Sequence, residues 1–152
     1  MPRRAAVVVL VALLAFPGAV MAATQEGTPG PDDLVGTAGA DSIFGRGGKD
    51  TIRGRAGSDH LFGGRGDDLI SGDSGRDVIS GGPGNDTLLG GAGNDRITAG
   101  AGVDLIAAGS GNDVVRVRDG QADRVTCGPG RDRVVADAQD IVASDCEGVQ
   151  RG

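Results

Sequence analysis

From Gly36 to Arg116 an aliphatic residue recurs at every ninth position, set among small and polar neighbours: Ile43, Ile52, Leu61, Ile70, Ile79, Leu88, Ile97, Ile106 and Val115. One inward side chain flanked by two outward ones is the pattern of a very short strand, because successive strand residues point to opposite faces. The intervening residues are rich in Gly, which supplies the positive φ of tight turns. Each unit of nine therefore predicts a turn over its first six places and a strand over places seven to nine. Such a strand does not stand alone. The units must stack at about 4.8 Å, each pairing with the coil above and below.

Cut in that phase, the segment yields nine units without insertion or deletion: GTAGADSIF, GRGGKDTIR, GRAGSDHLF, GGRGDDLIS, GDSGRDVIS, GGPGNDTLL, GGAGNDRIT, AGAGVDLIA and AGSGNDVVR. The fourth place is always Gly: Gly39, Gly48, Gly57, Gly66, Gly75, Gly84, Gly93, Gly102 and Gly111. The sixth is always Asp: Asp41, Asp50, Asp59, Asp68, Asp77, Asp86, Asp95, Asp104 and Asp113. Low-complexity disorder has no reason to keep three phases aligned over such a length.

These residues match GGxGxDxUx and resemble the RTX, or hemolysin-type, calcium-binding nonapeptide repeat. The resemblance implies an all-β fold, a parallel β-roll with two nonapeptides to each coil of eighteen residues. It also implies calcium held between the sixth-place Asp residues of successive coils, with backbone carbonyls near the Gly-rich positions completing the shell. Nine units leave seven pairs one coil apart, so about seven ions are expected. Ala99 and Ala108, where first-place Gly becomes Ala, are expected to strain the turn and weaken the last sites.

Outside the array, Arg3 and Arg4, the apolar run Ala5 to Phe16 and the small residues of Val20-Met21-Ala22 read as a secretory signal over residues 1–22, cut after Ala22 or Ala23. The run is shorter than the ~20 apolar residues of a membrane span. No membrane segment is expected in the mature chain. Residues 23–35, with Pro29 and Pro31, read as a flexible leader. Residues 117–152 read as degenerate repeats and a cap, with Gly130, Asp132 and Val134 back in phase and Asp132 a further candidate ligand. A cap is what an open solenoid end needs. Cys127 and Cys146 are the only cysteines, and export to an oxidising space predicts a disulfide between them. This end is similar to secreted actinobacterial versions of the repeat.

Composition narrows the chemistry. The 152 residues include 30 Gly, no Trp and no Tyr, so little large side chain is available for a core. A formal charge of −6 disfavours nucleic acid and favours a cation. Stacked Asp ladders carry unit charges ~5 Å apart, repelling by about 0.8 kcal/mol in water and about 3 kcal/mol at an effective dielectric of about 20. A divalent ion between rungs reverses that sign. Calcium accepts six to eight oxygens in flexible geometry, whereas magnesium demands a tighter octahedron and zinc prefers His and Cys.

The remaining residues add no catalytic constellation. His60 takes an outward seventh place, Phe44 and Phe62 share ninth places one coil apart, and Arg46, Arg53, Arg55, Arg65, Arg76 and Arg96 intersperse the acidic surface. No GxSxG, HExxH or P-loop is present. The expectation is a secreted, extracellular, non-enzymatic calcium-binding protein with a structural or interaction role. Its partners would be calcium, and a cell-envelope or extracellular polymer or a secreted protein. An accessory or folding module for a secreted enzyme is the alternative. Surface adhesion and ice binding rank lower, the latter because the third places carry no Thr ladder.

Overall fold

The computed structural model describes residues 22–152, so the segment read as an export signal lies, apart from Ala22, outside the described residues. Strands β1 (Thr24–Glu26) and β2 (Asp33–Val35) precede eight strands of six residues. These are β3 (Ser42–Gly47), β4 (Thr51–Ala56), β5 (His60–Arg65), β6 (Leu69–Ser74), β7 (Val78–Pro83), β8 (Thr87–Ala92), β9 (Arg96–Ala101) and β10 (Leu105–Ser110). Then follow β11 (Val114–Arg116), β12 (Arg124–Thr126), β13 (Arg133–Ala136), β14 (Ile141–Val142) and β15 (Gly148–Arg151). Odd-numbered strands form one sheet of eight and even-numbered strands a second sheet of seven. Every pairing is parallel, and in the array the register is eighteen residues, as in Ile43 to Leu61 and Ile52 to Ile70. The fold is the expected parallel β-roll, two units to the coil.

The core is one side chain thick. Eighth-place residues from both sheets, Ile43, Leu61, Ile79 and Ile97 from one and Ile52, Ile70, Leu88 and Ile106 from the other, are fully buried between them. The strands are twice the expected length, because places one to three of the following unit continue each strand before the turn. First-place residues point inward too, and here the column changes along the roll. It is Gly through Gly90, then Ala99, Ala108, Val117, Cys127, Ala136 and Cys146, all buried in the core. Ala99 and Ala108, like the first-place Gly residues before them, do not adopt positive φ. Their methyls fill core space.

The reading of residues 23–35 as a flexible leader is corrected. β1 pairs with β3 and β2 with β4, and Asp32 and Leu34 are buried. GTPGPDDLV, residues 27–35, is in fact a tenth unit in phase, with Gly30, Asp32 and Leu34 at places four, six and eight. The prolines obscured it, yet third-place Pro recurs inside the roll at Pro83 and Pro129. Fifth-place Pro31 lacks an N–H that in later coils bonds to the preceding coil, as Asn85 N–H does to Asp67.

Beyond β11 the coils continue with irregular lengths. One inserted residue lengthens the register to nineteen, pairing Leu105 with Arg124 and Val114 with Arg133. Cys127 and Cys146 form a disulfide with Cα atoms 5.2 Å apart, nineteen residues apart in sequence. It joins neighbouring coils through the first-place column, at the end where the repeat pattern fades. Closing a loop of that length stabilises by roughly 3 kcal/mol.

Candidate metal centre

Each sixth-place Asp points into the roll and is fixed by a backbone bond from the coil before it. Asp41 N–H donates to Asp59 Oδ1, Asp59 to Asp77, Asp77 to Asp95, Asp95 to Asp113 and Asp113 to Asp132, at 2.8–2.9 Å. The second ladder runs from Asp32 through Asp50, Asp68, Asp86 and Asp104 to Asp123. Asp123 N–H then donates to Asp140, and Asp132 N–H to Glu147 Oε2. The two expected ladders are therefore present, with Asp132 in register. Asp32, Asp123, Asp140 and Glu147 extend them and were missed as site residues. Asp32 sat behind the prolines, and the others lie where the nine-residue spacing breaks.

The second carboxylate oxygen decides the chemistry. Oδ2 of Asp50, Asp59, Asp68, Asp77, Asp86, Asp95, Asp104, Asp113, Asp123 and Asp132 is buried and has no hydrogen-bond partner. An unpaired buried charged oxygen is far too costly to repeat ten times without compensation. The surroundings make it worse. A β-carbon at Gly63 would collide with both Asp68 Oδ2 and the carbonyl oxygen of Gly81 in the next coil. The same convergence occurs at Gly45, Gly54, Gly72, Gly81 and Gly90. Two oxygens with partial or full negative charge thus crowd together beside a Cα that carries no side chain.

From Arg46 through Gly109 the second place takes positive φ. Positive φ occurs there even at non-Gly residues, 76° at Arg46, 82° at Arg55 and 68° at Asp73. A non-Gly residue in that region costs roughly 1–2 kcal/mol. The turns before Asp32 and Asp41 are different. Thr28 and Thr37 avoid positive φ, and each directs its backbone N–H and Oγ1 onto Oδ2 of its own Asp. Asp41, expected among the metal ligands, is thereby supplied with protein donors and has no orphan oxygen.

Burial pushes the ladder carboxyls upward, reinforced in several by the carboxylates of adjacent rungs and opposed by the backbone N–H each accepts. Asp77, Asp86 and Asp123 are raised to about 7, Asp50 and Asp113 to about 6. Asp59, Asp68, Asp95 and Asp104 are raised as well, burial again being the main cause.

A divalent hard cation fits these donors. Among the described residues no three His, Cys, Asp or Glu side chains come together as a metal cluster. A cation in this column would instead draw on single carboxylates from successive coils and on backbone carbonyls, a donor set that suits calcium. Zinc has nothing to use, since His60 is exposed on the outer face and both cysteines are in the disulfide. Phe44 and Phe62 stack with ring centroids 5.0 Å apart, as their shared place predicts. Arg46 pairs with Glu26 and Arg53 with Asp73, all at exposed side chains. Such pairs contribute little.

A parallel roll whose turns present unpaired buried carboxylate oxygens at eighteen-residue intervals is a cation-binding solenoid. The family model for the RTX calcium-binding nonapeptide repeat matches the chain in four copies, over residues 26–61, 45–79, 53–88 and 80–115. The chain belongs to that family of calcium-binding repeat proteins. Among curated proteins nothing matches it.

Proposed function

We propose that this is a secreted protein that binds several calcium ions between its Asp ladders, folds on binding them, and serves a structural or interaction role outside the cell without catalysing a reaction. The observation that carries the reading is the set of ten buried Oδ2 atoms without a partner. Export is supported by the N-terminal sequence pattern and by the extracellular setting in which RTX repeats are typically found. Among the described residues no helix is long and apolar enough to cross a membrane.

Six turns combine an orphan Oδ2 with a first-place Gly, those of Asp50, Asp59, Asp68, Asp77, Asp86 and Asp95. They are the strongest sites in this reading. At Asp104, Asp113, Asp123 and Asp132 the first place is Ala99, Ala108, Val117 and Cys127, whose side chains occupy the equivalent column. Those sites are weaker.

Ion-stripped chain at pH 7.5 is expected to gain its β circular dichroism on adding calcium at ~10⁻⁴–10⁻³ M, the range of extracellular calcium modules. Magnesium at the same concentrations leaves it unfolded. Calorimetry that finds no calcium uptake, or equal effects of the two ions, rejects the proposal.

An accessory role toward a secreted protein is favoured by one feature. Leu69, Leu105 and Ile141 share the seventh-place column on the outer face of the seven-stranded sheet, alternating there with Thr87 and Arg124, and are exposed, with Leu89 beside them. Exposed apolar patches mark interaction surfaces.

A further inference from the structure

We infer that processing cuts the Ala22–Ala23 bond, and that the α-ammonium of Ala23 then binds the buried Asp41 carboxylate as the built-in cation of the first rung. This rests on the export reading above.

Ala23 lies eighteen residues before Asp41 and occupies a sixth place in the Asp41 ladder, without a carboxylate of its own. It is only 6% exposed, while Ala22 beside it is exposed. Its nitrogen donates to Asp41 Oδ1 at 2.6 Å, repeating the rung bond of every later coil, and its carbonyl accepts from Ser42 N–H at 2.8 Å. Ala23 is therefore the first residue held by the ladder. A cut after Ala23 would remove both bonds and leave Oδ1 of a buried carboxylate without this donor.

The bond before Ala23 also has the better cleavage context. Ala22 and Val20 fall at the last and third-last positions of the departing segment, where small residues are required. A cut one residue later would put Met21 at the third-last position.

Charge completes the case. Asp41 is 2% exposed, yet its Oδ2 is held by Thr37, so it lacks the free oxygen that the other ladder residues offer to a metal. A carboxylate so buried needs a positive partner. An amide N–H at Ala23 gives a neutral donor, whereas a freed amine gives a charge-assisted bond, roughly twice as strong. The ladder would then begin on a cation that the chain carries itself and continue on ions taken from solution.

The direct test is intact mass and N-terminal sequencing of the chain recovered from the medium of producing cells. A start at Ala23 is expected. Exported chain starting at Thr24 or elsewhere overturns the inference while leaving export intact, and cell-retained chain starting at Met1 overturns both. The pairing itself is read from calcium-loaded chains beginning at Ala23 or at an added Gly before Ala23, which keeps the amide donor and moves the charge. The extended chain is expected to melt about 4 °C lower. Asp41→Asn should abolish most of that difference. Equal melting of the two starts, or a difference that Asp41→Asn leaves unchanged, contradicts the pairing.

Discussion

Without any metal, the chain is expected to hold its β-roll at pH 4.5 and lose it at pH 7.5. The ladder carboxyls ordinarily titrate near 3.8, but in the folded roll Asp50 and Asp113 rise to about 6 and Asp77, Asp86 and Asp123 to about 7. Between those limits the folded state binds more protons than the unfolded one, so stability falls as pH rises. The contribution is complete below the unfolded value and vanishes as pH climbs through 6 to 7. In this account protons do at low pH what calcium is proposed to do at neutral pH, neutralising an oxygen that has no donor. Asp145 opposes the trend, since Gly128 N–H lowers it, but it stands at the chain's end, outside the ladders. Far-ultraviolet circular dichroism in chelator at the two pH values checks this. Calcium must also compete with protons, so the midpoint of a calcium titration moves to higher concentration at pH 5. Structure that is lost on acidifying the metal-free chain would refute the ladder electrostatics.

Gly75→Ala is expected to cost more than about 3 kcal/mol and to shift calcium-induced folding to much higher calcium. Gly75 stands at the fourth place with φ at 134°, a region closed to side chains, and its β-carbon would fall on the carbonyl oxygen of Gly57 in the preceding coil. The neighbour is backbone of the adjacent turn, tied by the bond from Gly57 N–H to the Ser74 carbonyl, so it cannot move aside without breaking that bond. Gly120→Ala is the control. It too has positive φ, 85°, but nothing lies within 4 Å of the added carbon. That substitution is expected to cost about 1 kcal/mol from backbone strain alone. Thermal melts in saturating calcium compare the two, and equal losses would mean that coil stacking is looser than the structure requires.

Much of this was legible in the sequence because the fold repeats one local solution. The inward Ile and Leu at the eighth place, the Asp at the sixth and the Gly at the fourth each recur where a stacked coil demands them, and the strands, the sheet order and the two ladders follow. What was hidden lay at the ends. Asp32 belongs to a complete unit disguised by Pro29 and Pro31, and Asp123 and Asp140 sit where an inserted and then a shortened coil break the count, although their register across the sheet is kept. Strand length was also illegible, since the first three places read as Gly-rich turn yet pair with the neighbouring coils in the sheets. The difference between Asp41 and the later rungs turns on one residue, Thr37 in place of Arg, Gly or Asp, and only the hydrogen bonds reveal that it seals the oxygen which the other turns leave open.

The central claim is that ions between the rungs hold together a roll whose oily interior is a single side chain thick. Thermal unfolding of the disulfide-intact chain at pH 7.5, exhaustively stripped of divalent metal and then reloaded with calcium, tests it most directly. No cooperative transition before reloading and a sharp one afterwards is the predicted result. A stripped chain that melts cooperatively at the same temperature as the loaded one would contradict it.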